Sequence, residues 1–215
     1  MKKNNVVKLA ITSFVCLLPI CLAFVLYNNL PDRFVMQWSI EGSPNWYAPK
    51  AVAVFALPLF FMILNIILNL VVCYYPKRES VSKAMLALIV WLSPVLSLII
   101  VPLMLLANLG VNLPIKMIVF TLVGIVFIFI GNYLPKSRQN VIAGIRIPWT
   151  LNNTENWNKT HRFAGPLWII GGLLFIITAF LPLKNTAGII IIMTILSMTI
   201  IVPVLYSFIL HKKGY

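Results

Sequence analysis

Acidic residues are nearly missing from this chain of 215 residues. There are four, Asp32, Glu41, Glu79 and Glu155, and none falls inside an apolar run. No basic residue sits at the centre of such a run either. Transport driven by protons or sodium needs ionisable groups at membrane depth, so that class is not expected here. Histidine is scarce too. His161 and His211 alone leave no HExxH-like set for an intramembrane metalloprotease. A serine hydrolase needs a base beside its nucleophile. His161 is the one candidate, and no GxSxG accompanies it. The chain is therefore expected not to be an enzyme and to carry no metal or cofactor. Its three cysteines, Cys16, Cys21 and Cys73, all lie in apolar runs and form no CxxC pair. That excludes a disulfide framework and a zinc site.

Charge of either sign is sparse, at 10% of residues, against about 25% in a soluble domain. Hydrophobic residues make up 61%, more than a soluble core can hide, so the solvent for most of this chain is lipid. A net charge of +13 would suit nucleic acid. The basic residues, however, cluster at the ends of apolar runs and form no stripe along a folded face. Direct nucleic-acid binding is not expected.

Six apolar runs are long enough to span a bilayer: Leu9 to Tyr27, Ala51 to Cys73, Ala84 to Ala107, Ile115 to Leu134, Phe163 to Leu183 and Ala187 to Leu210. The first follows three lysines but has no cleavage site after it, which predicts an uncleaved helix kinked at Pro19. The fold class is thus all-α, a polytopic membrane protein with six transmembrane helices. With the N-terminus inside, Lys2, Lys3, Lys8, Lys77, Arg78, Lys83, Lys136, Arg138, Arg146, Lys159, Arg162, Lys212 and Lys213 fall on the cytoplasmic side. Only Arg33, Lys50, Lys116 and Lys184 fall outside. The positive-inside rule therefore predicts cytoplasmic N- and C-termini. Two domains are expected. Residues 1–76 form a two-helix module with an extracellular aromatic loop at 28–50. Residues 77–215 form a four-helix domain with a cytoplasmic segment at 131–165.

Within the runs, Asn65 and Asn69 share one helical face, as amides do when they bond between helices or line a path. Gly124 and Gly131 lie two turns apart, where a neighbouring helix can come close. The outer loop, Asn28 to Lys50, is predicted to be irregular, broken by Pro31, Gly42, Pro44 and Pro49. Its Phe34, Trp38, Trp46 and Tyr47 fit either an interfacial belt or a partly folded cap that meets ligands.

The long polar stretch is GNYLPKSRQNVIAGIRIPWTLNNTENWNKTHRFAG, from Gly131 to Gly165. Asn152 is expected to cap a short helix, with Glu155 completing a capping box. Glu155 and Lys159 then pair at i, i+4, as do Trp157 and His161. That helix is expected to lie at the interface, with Gly165 and Pro166 marking a junction before the fifth span. Arg146 has two readings. It snorkels to lipid phosphate, or it is held as a fork on carbonyls or a carboxylate with Trp149 as a stacking face.

This stretch closely resembles the signature of the SdpI family of bacterial membrane proteins. The matching positions include Asn132, Pro135, Arg138, Asn140, Gly144 and Arg146, and then Pro148, Trp149, Trp157, Lys159, His161 and Arg162. In the outer loop Pro31, Asp32, Trp38, Gly42 and Lys50 resemble the module found at the N-terminus of the same family. That module often has a His-Trp-Asn triplet and a later Asp. Gln37-Trp38-Ser39 and Asn45 stand here instead, so no metal or proton role carries over. The resemblance implies immunity to a secreted, membrane-active toxin peptide. It also implies signalling, by holding a soluble transcriptional repressor at the membrane. The first matched set would then be the candidate partner-binding site. Trp46 joins the outer-loop set as a candidate toxin contact. A small-molecule or peptide exporter and a pure membrane sensor without protective activity are the alternatives.

Overall fold

The computed structural model describes residues 3–75 and 81–215. Lys2 and the charged turn expected at Lys77, Arg78 and Glu79 lie outside the described residues. Among the described residues, six helices are long and apolar enough to cross a membrane. They are α1 (Lys3–Leu26), α2 (Lys50–Tyr74), α3 (Lys83–Asn108), α4 (Ile115–Tyr133), α6 (Thr154–Phe180), and a sixth span made of α7 (Asn185–Leu196), a π-helical turn (Ser197–Ile201) and α8 (Val202–Lys212). A short α5 (Pro148–Asn152) precedes α6. The chain divides into two compact units.

The first unit holds α1, α2, most of α3 and a β-hairpin. The expected boundary at 76/77 grouped α3 with the later helices, but α3 packs with the first two. Its Leu105, Val101 and Met104 share a buried cluster with Cys16 and Ala23 of α1 and Phe61 of α2. Ser97 of α3 donates to the Cys16 carbonyl at 2.7 Å. The paired amides explain more of this packing. Proline in a helix cannot donate to the carbonyl four residues back, so Pro94 leaves the Val90 carbonyl open. The Asn65 side-chain amide lies 3.1 Å from it. The same amide lies 2.9 Å from Thr12 Oγ1 and 3.1 Å from Ser13 Oγ on α1, and Asn69 donates to the Asn65 carbonyl at 2.9 Å. One buried polar knot therefore fastens three spans, as polar side chains do where water is absent.

The predicted irregular outer loop is instead an antiparallel hairpin, β1 (Arg33–Trp38) and β2 (Pro44–Pro49). Strand alternation puts Phe34, Met36 and Trp38 on one face. All three pack against the cluster of the first unit, with Phe34 fully buried. The turn between the strands closes from Ser39 N–H to Ser43 O at 2.8 Å and needs Gly42 at φ +89°. Asn108 at the end of α3 fastens the outer edge of β1. It accepts from Val35 N–H at 2.7 Å and donates to the Val35 carbonyl at 3.1 Å. That edge is covered, as exposed strand edges tend to be.

The second unit holds α4 to α8. Helices α4 and α6 meet along glycines. A Cβ on Gly124 would sit 2.5 Å from the Gly172 carbonyl oxygen, and one on Gly131 2.8 Å from that of Gly165. Side chains at these positions would hold the two backbones apart. The expected junction at Gly165 and Pro166 is absent, because α6 runs unbroken from Thr154 to Phe180. Gly165 marks close approach rather than a break. In the sixth span, Pro203 leaves the Thr199 carbonyl without its helical donor. Trp168 Nε1 supplies one at 2.8 Å. The π turn sits at the same place, where the helical ladder is interrupted.

Candidate functional site

The polar stretch after α4 folds onto the first turns of α6. Leu134–Lys136 forms one 3-10 turn. Asn140 then organises the next bend. Its Oδ1 accepts from Ile142 N–H and Ala143 N–H, both at 2.8 Å, while its Nδ2 donates to the Arg138 carbonyl at 2.7 Å. Gly144 follows at φ +125°, a backbone state that L side chains rarely adopt. A Cβ there would collide with His161 Nε2. Pro148 opens α5, where its missing N–H costs nothing.

Trp157 and His161, one turn apart on α6, form the centre. Their rings stack at 3.9 Å with an interplanar angle of 20°. Trp157 is fully buried and donates from Nε1 to the Ser137 carbonyl at 2.8 Å. His161 Nε2 accepts from Ile145 N–H at 2.9 Å, so its proton is on Nδ1, which donates to the Trp157 carbonyl at 2.8 Å. Both ring nitrogens are committed to backbone. This histidine is a structural strut, with no lone pair left to serve as a base.

Around it sits a ring of polar groups that sequence reasoning missed. Gln139 Nε2 donates to the Thr150 and Leu151 carbonyls at 2.7 and 2.9 Å, and Thr154 Oγ1 donates to Gln139 Oε1 at 2.9 Å. Thr150, fully buried, accepts from Ile147 N–H at 3.1 Å and donates to the Ile145 carbonyl at 2.8 Å. Asn156, also fully buried, links α6 to α8: Nδ2 donates to the Ser207 carbonyl at 3.0 Å, and Oδ1 accepts from Ser207 Oγ at 2.6 Å and Thr160 Oγ1 at 3.0 Å. The i, i+4 spacing of Asn156 and Thr160 was the available signal, on the helix face next to Trp157 and His161.

Two local expectations are corrected. The cap of α6 is Asn153, not Asn152. Its Oδ1 accepts from Glu155 N–H and Asn156 N–H at 2.8 and 2.9 Å, because Asn152 is the last residue of α5. Arg146 is not held by several hydrogen bonds. It is exposed and donates once, from Nη1 to the Val141 carbonyl at 2.7 Å. The stacking face assigned to it is taken, since Trp149 stacks on His211 at 5.7 Å and meets Phe208 edge-on at 5.5 Å.

The remaining residues of the set divide by burial. Pro135 packs over Gly165, where a Cβ would come within 2.5 Å of Pro135 Cγ. Lys159 pairs with Glu155 at 2.9 Å and lies 3.2 Å from the Tyr215 ring centroid. Asn132 accepts from Lys136 Nζ at 3.2 Å. Arg138 and Arg162 are exposed, like Arg146. The structure thus separates a buried scaffold (Asn140, Trp157, His161), with Gly144 packed over it, from three exposed guanidiniums.

In the outer hairpin, Lys50 bridges Asp32 at 3.3 Å, donates to the Leu30 carbonyl at 3.4 Å and sits 4.9 Å from the Tyr27 ring centroid. Pro31 is exposed beside it. Trp38 is half-buried against the first unit's core, whereas Trp46 and Tyr47 on β2 are 55% and 50% exposed. The two tryptophans therefore have different tasks: Trp38 holds the hairpin down and Trp46 faces outward.

Comparison with known proteins follows the same division. Residues 14–62, covering the second half of α1, the hairpin and the first half of α2, match a family described as a domain of unknown function (DUF1648). Residues 136–207, from the 3-10 turn into α8, match the SdpI/YfhL protein family. The immunity protein SdpI of Bacillus subtilis (strain 168) is 27% identical over 217 aligned residues, covering 99% of this chain and 98% of that protein. No solved structure matches. Six apolar helices and a relation to an immunity protein running from end to end mark a multi-pass bacterial membrane protein, similar over residues 136–207 to the SdpI/YfhL protein family.

Proposed function

We propose that this protein confers immunity on its cell against a secreted, membrane-active toxin peptide, with the β-hairpin as the surface that meets the peptide. The relation to an immunity protein over 99% of the chain carries this reading. The hairpin adds a means. Trp46 and Tyr47 stand exposed on a strand whose neighbour is pinned to α3 by Asn108, so the aromatic surface is rigid before any ligand arrives. Rigid aromatic anchors dominate such contacts. Expression in a sensitive cell challenged with candidate toxin peptides tests the reading. Trp46→Ala is expected to reduce protection at unchanged membrane abundance, and Trp38→Ala to reduce protection together with abundance. Full protection by the double variant at normal abundance would remove the hairpin from the function. Loss of toxin from the cell, rather than tolerance of it, would point to export.

The hairpin faces outward in this reading because the basic residues favour cytoplasmic termini. With a cysteine-free background, an impermeant thiol reagent on intact cells should label a cysteine placed at Ser43 and spare one at Ser137. The reverse pattern would invert the topology.

A signalling role on the cytoplasmic side is favoured by one specific feature. Arg138, Arg146 and Arg162 are exposed around a buried scaffold, a surface suited to a soluble partner such as a transcriptional repressor. We infer no enzymatic activity, since the segment's buried histidine has both nitrogens engaged.

A further inference from the structure

We propose that the second unit holds a phospholipid with an anionic headgroup in the groove between α4 and α6. The groove has a volume of about 420 Å³. It is lined by Ile125, Ile128, Phe129 and Asn132 from α4 and Ile169 from α6. Four of these five side chains are apolar, and they lie in the membrane-spanning part of both helices. The fifth, Asn132, is the polar end.

The helical spacing continues this pattern towards the aqueous end. On α4 the positions 125, 128, 129 and 132 fall on one face, at i, i+3, i+4 and i+7, and the 3-10 turn Leu134–Lys136 follows directly. Lys136 therefore follows Asn132 by one turn, and its ammonium donates to Asn132 Oδ1 at 3.2 Å. On α6, Arg162, Pro166 and Ile169 fall on one face, at i, i+4 and i+7. The two helices run antiparallel, with Gly131 of α4 against Gly165 of α6. That pairing brings the Lys136 end of α4 level with the Arg162 end of α6. Both cations are exposed, and Arg162 has no partner among the described residues.

The charges name the occupant. An apolar slot at membrane depth ends at an amide and two cations, so it complements a molecule with a hydrocarbon tail and an anionic head. The sole described acidic side chain of this unit, Glu155, is paired with Lys159, so no acidic side chain already neutralises the pair. A second copy of this chain would offer the groove apolar helix surface but would bring few carboxylates, since the whole chain has four. A phospholipid supplies both parts, and basic residues at the membrane surface attract anionic lipid.

The test is lipid retention by the full-length protein. It would be purified from nanodiscs containing equal phosphatidylglycerol and phosphatidylcholine of matched chains, then analysed by native mass spectrometry. Wild type is expected to keep one phosphatidylglycerol with roughly thirtyfold preference over phosphatidylcholine, the scale set by two basic side chains near the headgroups. A Lys136→Gln, Arg162→Gln variant should lose that preference. Ile125→Trp, which fills the slot and leaves the cations in place, should lower retention of both lipids. Equal retention of the two lipids by wild type overturns the proposal, and that arm depends on no variant folding. Unchanged preference in the charge variant, or dimers in place of bound lipid, also overturns it.

Discussion

Gly144→Ala is expected to unravel the segment between α4 and α6. At φ +125° an alanine is strained before any contact is considered. Its Cβ would also strike His161 Nε2 and approach Trp157 Cη2 to 3.0 Å. Neither ring can swing aside cheaply. They stack on each other, and each is tied to backbone, Trp157 to Ser137 and His161 to Ile145 and Trp157. Strain and collision together should cost on the order of 2–4 kcal/mol. Thermal unfolding in detergent would show this as a melting midpoint lowered by several degrees, with Trp157 fluorescence shifting as its ring is exposed. The proposed signalling through the outward arginines should fail as well, since they ride on this scaffold. An Ile142→Ala variant in the same segment, with normal backbone angles, is the control. A Gly144→Ala protein that melts like wild type would mean that the segment tolerates rearrangement and that the scaffold is not tightly built.

Gly172→Leu is expected to be the most damaging change inside the membrane. A Cβ at this position would lie 2.5 Å from the Gly124 carbonyl oxygen and 2.9 Å from Ile128 N. Those are backbone atoms of α4, which cannot rotate away as a side chain end can. The helices would have to separate, and the Gly131–Gly165 approach along the same seam would open with them. Small residues drive close helix contact in lipid because apolar burial gives no advantage there. Overpacking of a tight interior costs about 1–3 kcal/mol and occasionally more, and a seam fixed by backbone belongs at the upper end. The measurement is again the melting midpoint in detergent, against Leu173→Ala, whose side chain is 48% exposed to lipid. A large shift for Gly172→Leu and a small one for Leu173→Ala is expected. Equal shifts would mean that the seam is looser than its glycines indicate.

The six spans were legible because lipid imposes one requirement on every segment within it. Backbone groups must be satisfied inside the segment, and that demand writes itself into runs of about twenty apolar residues. The glycine pair at 124 and 131 was legible for a related reason: a glycine in an apolar helix has few uses besides close approach. The resemblance in the polar stretch located the scaffold, since Asn140, Gly144, Trp157 and His161 are all among its positions.

The tertiary structure decided the rest. The outer loop became a hairpin because Phe34, Met36 and Trp38 could bury one face on the first unit and Asn108, seventy-three positions from Val35, could cover its edge. Proline and glycine in that stretch signalled irregularity only because no local signal announces a partner so far along the chain. Arg146 was open to two readings in the sequence, because a guanidinium's role depends on which carbonyls face it, and one does. His161 was the one candidate base in the sequence. Its place beneath Gly144 shows that both nitrogens serve the backbone, a fact set by the path of residues 144 and 145 over α6. Sequence fixes which segments enter lipid, since that depends on each segment alone. It does not fix what a polar side chain binds, since that depends on backbone brought in from elsewhere in the chain.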